Sequence, residues 1–236
     1  MRCWPPGSSP GGTSGNGGPG GSDGHDGSAA PDDGPSLAAL VNITVPWSTV
    51  VGQPDAPGEA AGFGLLDADS VRDLVAAAAR HPNTRWCLTA LHPDGTAVAH
   101  GCAAGPLHWR VGPQAAGVFR ALKLTLRPVI RGPCDHVQAE HRYRPGRTLR
   151  HLVGARNTRC TAPGCGQPAA RCDLDHTTPW HHGGRTCPCN LAPLCRHHHR
   201  CKQAEGWWLD QPEPGVLVWR TPAGRTYTTT PTEYTV

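Results

Sequence analysis

Seven cysteines, Cys160, Cys165, Cys172, Cys187, Cys189, Cys195 and Cys201, fall within 42 residues, and eight of the chain's 14 histidines lie between 140 and 202. The densest stretch, "LCRHHHRCK" (194–202), sets three consecutive histidines between two cysteines. A segment this short and polar cannot be held together by apolar burial alone, so cross-linking by disulfides or metal must do much of the work. The start "MRCWPPGSSPGG" has no apolar core segment of a secretory leader, which points to a reducing, cytoplasmic setting where such clusters ligate metal. No run of about 18 apolar residues is present, so no membrane partner is expected.

The rest of the composition bounds the architecture. Of 236 residues, 37% are hydrophobic, while Gly and Pro number 30 and 25, so much of the chain is loop or linker. Residues 1–36 are rich in Gly and Pro and have no large aliphatic side chain after Met1; this segment is expected to be disordered. Residues 140–202 carry 11 Lys and Arg against Glu140, Asp173 and Asp175, a local balance of +8 in a chain of net +4. A basic block in an otherwise mildly acidic chain suits a polyanion such as DNA; the bland alternative is a solvated basic surface.

From residue 37 the pattern turns structured. "VNITVPW" reads as a strand, Asp67 to Arg80 as a helix with Leu74 and Val75 on one face, and "RWCLTALHPDGTAVAHG" as a hairpin turning at Pro93-Asp94-Gly95. "ALKLTLRPVI" alternates as a strand does. "RPGRTLRHLVGARN" predicts an amphipathic helix, with Leu149, Leu152 and Val153 inward and Arg147, Arg150 and Arg156 outward. After the cluster, "GWWLDQ", "VLVWRT" and "RTYTTT" predict a three-stranded antiparallel meander, in which Trp207, Trp208 and Trp219 serve either as core or as base-stacking platforms.

Cys160 and Cys165, from a Gly-containing turn, together with Cys195 and His198, at i, i+3 on a helix, make a Cys3His set suited to a structural zinc ion. Asp175, His176, Asn190 and His199 form a second group. Asp175 and His199 can hold a divalent cation (magnesium or another) on a phosphate, His176 can deprotonate the attacking water, and Asn190 can complete the metal shell or orient His176. At about 100° per residue, His198 and His199 lie roughly 60° and 40° to opposite sides of Cys195. They are therefore assigned to different ions, leaving His197 exposed. Arg156, Arg159 and Lys202 are the candidate DNA contacts.

On these residues, "DLDHTTPW…GGRTCPCNLAPLCRHHHRCK" resembles the HNH endonucleases of the ββα-metal (His-Me finger) superfamily. His176, Asn190 and His199 match the three signature positions, and Cys195, His198, His199 and Lys202 match the zinc-and-metal tail, with His198 where many members carry a second cysteine. The flanking segments from about residue 40 to the end resemble bacterial proteins that join a domain of unknown function to a C-terminal HNH module. The resemblance implies metal-dependent cleavage of DNA in which hydroxide attacks phosphorus and leaves a 5′-phosphate and a 3′-hydroxyl.

The expected fold is thus α+β. Residues 37–140 form a small mixed region that is part of the upstream domain, 141–205 a zinc-braced ββα-metal module, and 206–236 a β-meander. Cys172, Cys187, Cys189 and Cys201 either substitute as ligands or form a second zinc site. Asp173, on the strand face of Asp175, either supports the metal ligands or is solvated, and His181 and His182 either touch substrate or are exposed loop residues. The rival to a nuclease is a zinc-stabilised nucleic-acid-binding module without cleavage activity; an extracellular disulfide scaffold fits neither the N-terminus nor the histidine content.

Overall fold

The computed structural model describes residues 43–53, 56–60, 63–107 and 124–234, which belong to one compact unit. The segment expected to be disordered, 1–36, lies outside the described residues. Among those described, no helix is long and apolar enough to cross a membrane.

The first sheet joins β1 (Ile43–Thr44), β2 (Gly58–Ala60) and β3 (Gly64–Leu66), all antiparallel. The strand expected over "VNITVPW" is cut short because Pro46 precedes a one-turn helix, α1 (Trp47–Val50). Helix α2 (Ala68–Arg80) starts where expected: Asp67 caps it by accepting a 2.9 Å hydrogen bond from the Ser70 N–H, and Val71, Val75 and Ala79 form its buried stripe.

The hairpin of β4 (Arg85–Leu91) and β5 (Ala97–Ala104) sets Cys87 directly opposite Cys102. Its turn needs Gly95 at φ 81°, and the Asp94 carboxylate accepts from Thr96 N–H at 2.8 Å. The third strand, β6 (Arg127–Pro128), is much shorter than the alternation of "ALKLTLRPVI" predicts. Pro128 has no N–H to extend the ladder, and residues 121–123 lie outside the described chain.

Helix α3 (Arg147–Arg156) packs Leu149, Leu152 and Val153 inward. Arg156 joins that inner face, which corrects the expectation of an outward, DNA-contacting side chain. It is 1% exposed, and its guanidinium donates to the carbonyls of Pro188 and Leu191, each at 2.7 Å, and to Asn157 Oδ1 at 2.9 Å. Position 156 lies seven residues past Leu149, two helical turns along the same stripe.

Strands β7 (Asp173–His176) and β8 (Leu191–Leu194) form an antiparallel pair, followed at once by helix α4 (Arg196–Cys201). The meander appears as β9 (Trp208–Glu213), β10 (Val216–Arg220) and β11 (Thr226–Thr229). Its inner side chains, Leu209, Leu217 and Trp219, close a core with Ala192 and Leu194 of β8 and with Cys160, Ala162 and Cys172. Trp219 is fully buried and donates to Thr161 O at 2.9 Å, so it is core; Trp208 is exposed with the Arg220 guanidinium over its ring.

Among the described residues, those before 140 pack directly on those after it. Helix α3 packs on β5 and on β8, Thr96 bridges to Glu233, and the Tyr234 hydroxyl donates to Ala155 O at 2.8 Å.

Candidate metal and catalytic site

Strand alternation sorts the β7 side chains. Asp173 and Asp175 face α4, whereas Leu174 packs with Leu149, Val153 and Leu191 on the opposite face. One turn of α4 then meets the two carboxylates. His199 Nδ1 lies 2.9 Å from Asp173 Oδ2, and its Nε2 lies 3.2 Å from Asp175 Oδ1. A neutral imidazole that donates from Nδ1 to Asp173 turns a lone pair toward a carboxylate oxygen. Two such acceptors in contact call for positive charge beside them, which the Lys202 ammonium on Asp175 Oδ2 supplies here and a metal cation could supply in its place. Their separation suits a small dication, because two ligands about 2.1 Å from one ion, roughly at right angles, are about 3 Å apart. Asp173 is thus a support that fixes the tautomer of His199.

Lys202 occupies the same surroundings. Its ammonium lies 2.5 Å from Asp175 Oδ2 and also donates to the His176 carbonyl. With 12% of its side chain exposed, it is turned toward the acidic pair and not outward to solvent. A cation on Asp175 would displace or share this contact and free the ammonium for a phosphate.

The His176 side chain leaves the end of β7 on the face of Leu174, opposite Asp173, Asp175 and α4, so the structure does not set its ring beside the Asp175–His199 pair, and the ring is buried. It stacks on Tyr143 (centroids 5.4 Å apart, planes at 11°) and meets the edge of Trp180 at 5.9 Å. Nε2 lies 2.8 Å from the Thr186 hydroxyl, whose own proton goes to Tyr143 O at 3.3 Å. That direction makes Nε2 the ring's N–H donor and leaves Nδ1 with its lone pair, the form a proton acceptor needs. Burial lowers the His176 pKa below its ordinary value, and Lys202 adds to this while Asp175 opposes it, so the ring is neutral at pH 7.

Asn190 has a different position from the one expected of a metal ligand. Its Oδ1 accepts from Thr178 N–H at 2.8 Å, and its Nδ2 donates to the carbonyls of Thr178 and Arg185, each at 3.0 Å. The amide thereby closes the loop between β7 and β8. Gly184 makes room for this closure, since a Cβ there would lie 1.8 Å from Thr178 O. His181 and His182 are exposed on the same loop.

The four residues of the expected structural zinc set do come together. Cys160, Cys165, Cys195 and His198 present ligand atoms within 4.8 Å of one another, in a group that could hold a metal ion such as zinc. His198 Nδ1 is 3.6 Å from Cys160 Sγ and 3.2 Å from Cys195 Sγ, close to the roughly 3.6 Å edge of a tetrahedral zinc site. Burial raises the Cys160 pKa to about 12 and lowers that of His198. His198 is thereby held in the neutral form that binds metal, whereas Cys160 must release a proton to do so. His197 is exposed, while His198 faces Cys160 and Cys195 and His199 faces Asp173 and Asp175.

Two further groups could hold metal ions. Cys134, His136, Cys187 and Cys189 form one; Cys87, His100, Cys102 and His151 form the other, across the β4–β5 hairpin and α3. In the latter, Thr89 Oγ1 lies 2.9 Å from His100 Nδ1, leaving Nε2 to face Cys102 Sγ at 3.3 Å. A hydrogen bond from Cys87, supplemented by His100 and His151, lowers the Cys102 pKa to about 3. Of the other cysteines, Cys172 belongs to the core, and Cys201 lies 3.5 Å from His197 Nε2. Arg159 is exposed and pairs with Glu59 at 3.3 Å.

The chain is 44% identical over 103 residues to two Mycobacterium tuberculosis proteins, "Uncharacterized protein Rv3776" and "Uncharacterized protein Rv2100". The match covers 43% of this chain but only 20% and 18%, respectively, of the relatives, about one fifth of their length. No family model matches the chain, and no solved structure gives a significant match.

Proposed function

We propose that the chain is a metal-dependent endonuclease of the HNH type that hydrolyses phosphodiester bonds of DNA. The observation that carries this reading is the His199 Nε2–Asp175 Oδ1 contact at 3.2 Å, on a helix that follows two antiparallel strands beside a group that could hold zinc. Asp175 and His199 would hold the divalent cation, with waters and phosphate oxygens completing its shell. When bound, that cation supplies positive charge against the phosphate and the leaving 3′ oxygen.

The chain's own residues account for the remaining steps. His176 Nδ1 would take the proton from water, the resulting hydroxide attacks phosphorus, and the bond to the 3′ oxygen breaks as that oxygen takes a proton from solvent water, leaving a 5′-phosphate and a 3′-hydroxyl. Thr186 holds the ring in its reactive tautomer, and Tyr143 and Trp180 fix its plane. Asn190 keeps the intervening loop closed and acts on the ring only through that loop. Lys202, released from Asp175, faces the phosphate, and Arg159 adds an exposed positive charge.

Cys160, Cys165, Cys195 and His198 would bind a structural zinc ion that fixes α4 against β8 and the meander. The pairing of Lys202 with Asp175 favours one other reading: a zinc-braced DNA-binding module in which the lysine replaces the catalytic cation. Plasmid nicking with magnesium or manganese separates the two. Cleavage by the wild-type chain and its loss in His176→Ala, with zinc content and thermal unfolding unchanged, is the expected result. Undiminished cleavage by that variant would falsify the assignment of His176, and no cleavage by the wild type with any divalent ion would leave the binding module standing.

A further inference from the structure

We infer that Cys134, His136, Cys187 and Cys189 bind a second structural zinc ion, and that the buried Arg156 is the counter-charge of this centre. The ligand atoms already have the spacing of a tetrahedron. Cys134 and Cys187 Sγ are 3.5 Å apart, and His136 Nδ1 is 3.4 Å from Cys187 Sγ and 3.5 Å from Cys189 Sγ. Edges of about 3.6 Å are what zinc–sulfur and zinc–nitrogen bonds of about 2.3 and 2.1 Å produce. A disulfide needs its sulfurs near 2.05 Å, well inside the distance seen. Each half of the set comes from a tight ligand-x-ligand segment, and His136 adopts φ 61°, in the left-handed region that few non-glycine residues occupy and that histidine enters more readily than most.

Charge provides an independent argument. Arg156 is 1% exposed, and the hydrogen bonds it makes go to neutral acceptors: two carbonyls and one amide oxygen. A guanidinium removed from water without an anion is costly. Zinc with three thiolates and one neutral imidazole carries a net charge of −1, which is the missing partner. One of the two carbonyls holding Arg156 belongs to Pro188, the residue between the ligands Cys187 and Cys189, so the cation sits on the turn that presents both sulfurs. Burial lowers the arginine's pKa, and the neighbouring sulfurs of Cys189, Cys134 and Cys187 would counter the effect once ionised on a metal.

The consequence is mechanical. The zinc ion would tie the loop at 134–136 to the turn immediately before Asn190 and β8, so the loop clamped by Asn190 would be braced at its base whether or not the chain cleaves DNA.

The test uses the full native chain, N-ethylmaleimide as the thiol probe, peptide mass mapping and graded EDTA. Cys134, Cys187 and Cys189 should resist labelling until zinc is chelated, and Cys187→Ser should hold one zinc ion per chain fewer than wild type. Arg156→Met should release this zinc at a chelator concentration roughly 10–100-fold lower, the usual cost of losing a supporting residue. The thiols of Cys160, Cys165 and Cys195 should keep their wild-type threshold in the same sample. Labelling of Cys187 and Cys189 before chelation would overturn the site, as would resistance that persists after chelation until a reductant is added, the mark of a disulfide. Parallel release of both thiol sets from the Met variant would overturn the counter-charge. Should the Met variant label at every thiol before any chelator is added, the sign of a chain that has not folded, Arg156→Lys replaces it: a wild-type threshold supports the charge argument, and a threshold lowered as in a metal-ligand mutant refutes it.

Discussion

Asn190 offers the sharpest contrast between two roles for one residue, because Asp and Ala substitutions separate them. As a metal ligand, Asn190→Asp would exchange a neutral oxygen for an anionic one and tighten the divalent ion. As a loop clamp, the same change removes both Nδ2 donors and sets a carboxylate about 3 Å from the carbonyls of Thr178 and Arg185, which it repels. Asn190→Ala loses all three bonds. In a loop that water can reach, each is worth about 0.5–1 kcal/mol net, so the loop should lose roughly 2 kcal/mol of local stability. Asn190→Asp keeps only the bond from Thr178 N–H and adds repulsion, so its loss should be at least as large. Amide hydrogen exchange over residues 178–186 measures the opening directly, since 2 kcal/mol corresponds to about a 30-fold rise in exchange rate. Manganese titration by calorimetry measures the ion. The clamp predicts faster exchange in both variants, with manganese affinity changed little and in the same direction. Tighter manganese binding by the Asp variant, with loop exchange unchanged, would show that Asn190 belongs to the metal.

Two further outcomes follow from the site. The pH–rate profile of cleavage should have its acid limb below about 6.5, the ordinary value for histidine: burial lowers the pKa of His176, so the neutral, proton-accepting form persists to lower pH, and activity falls only as pH drops through that lowered value. An acid limb above 7 would contradict the buried, neutral ring. Cys160→Ala should lose the zinc of its cluster and unfold cooperatively at lower temperature, because Cys160 ties the 160–165 turn to α4 within a core that also contains Trp219. Retention of zinc and melting temperature would remove the cluster's structural role.

How much of this was legible in the sequence can be seen residue by residue. The turn at Pro93-Asp94-Gly95, the Asp67 helix start, the meander and the separate pairs Cys160/Cys165 and Cys195/His198 rest on local signals of turn chemistry, capping and ligand spacing, whereas the meeting of the two pairs spans 35 residues and is a tertiary result. A hairpin centred between Asp94 and Gly95 also places Cys87 against Cys102, so half of the third cysteine–histidine group was available by counting. The matching Cys134-x-His136 and Cys187-x-Cys189 pairs likewise carried a signal, but their pairing spans about fifty residues and no local periodicity reports it.

The sequence by itself determined which chemistry the chain can hold: soft sulfur and imidazole ligands in excess of any apolar core, two carboxylates on one face of a strand, and a helix whose adjacent histidines must diverge because successive residues turn by about 100°. Tertiary structure alone decided how those groups are used. It buried Arg156 against the carbonyls of Pro188 and Leu191; it committed the Asn190 amide to backbone partners; and it aimed the Lys202 ammonium at Asp175. In each case the physical reason is the same. A polar group acts through whatever lies within about 3 Å of it, and that neighbour is 27 positions away for Lys202, 32 and 35 for Arg156, and 12 and 5 for Asn190, in every case beyond the reach of local periodicity.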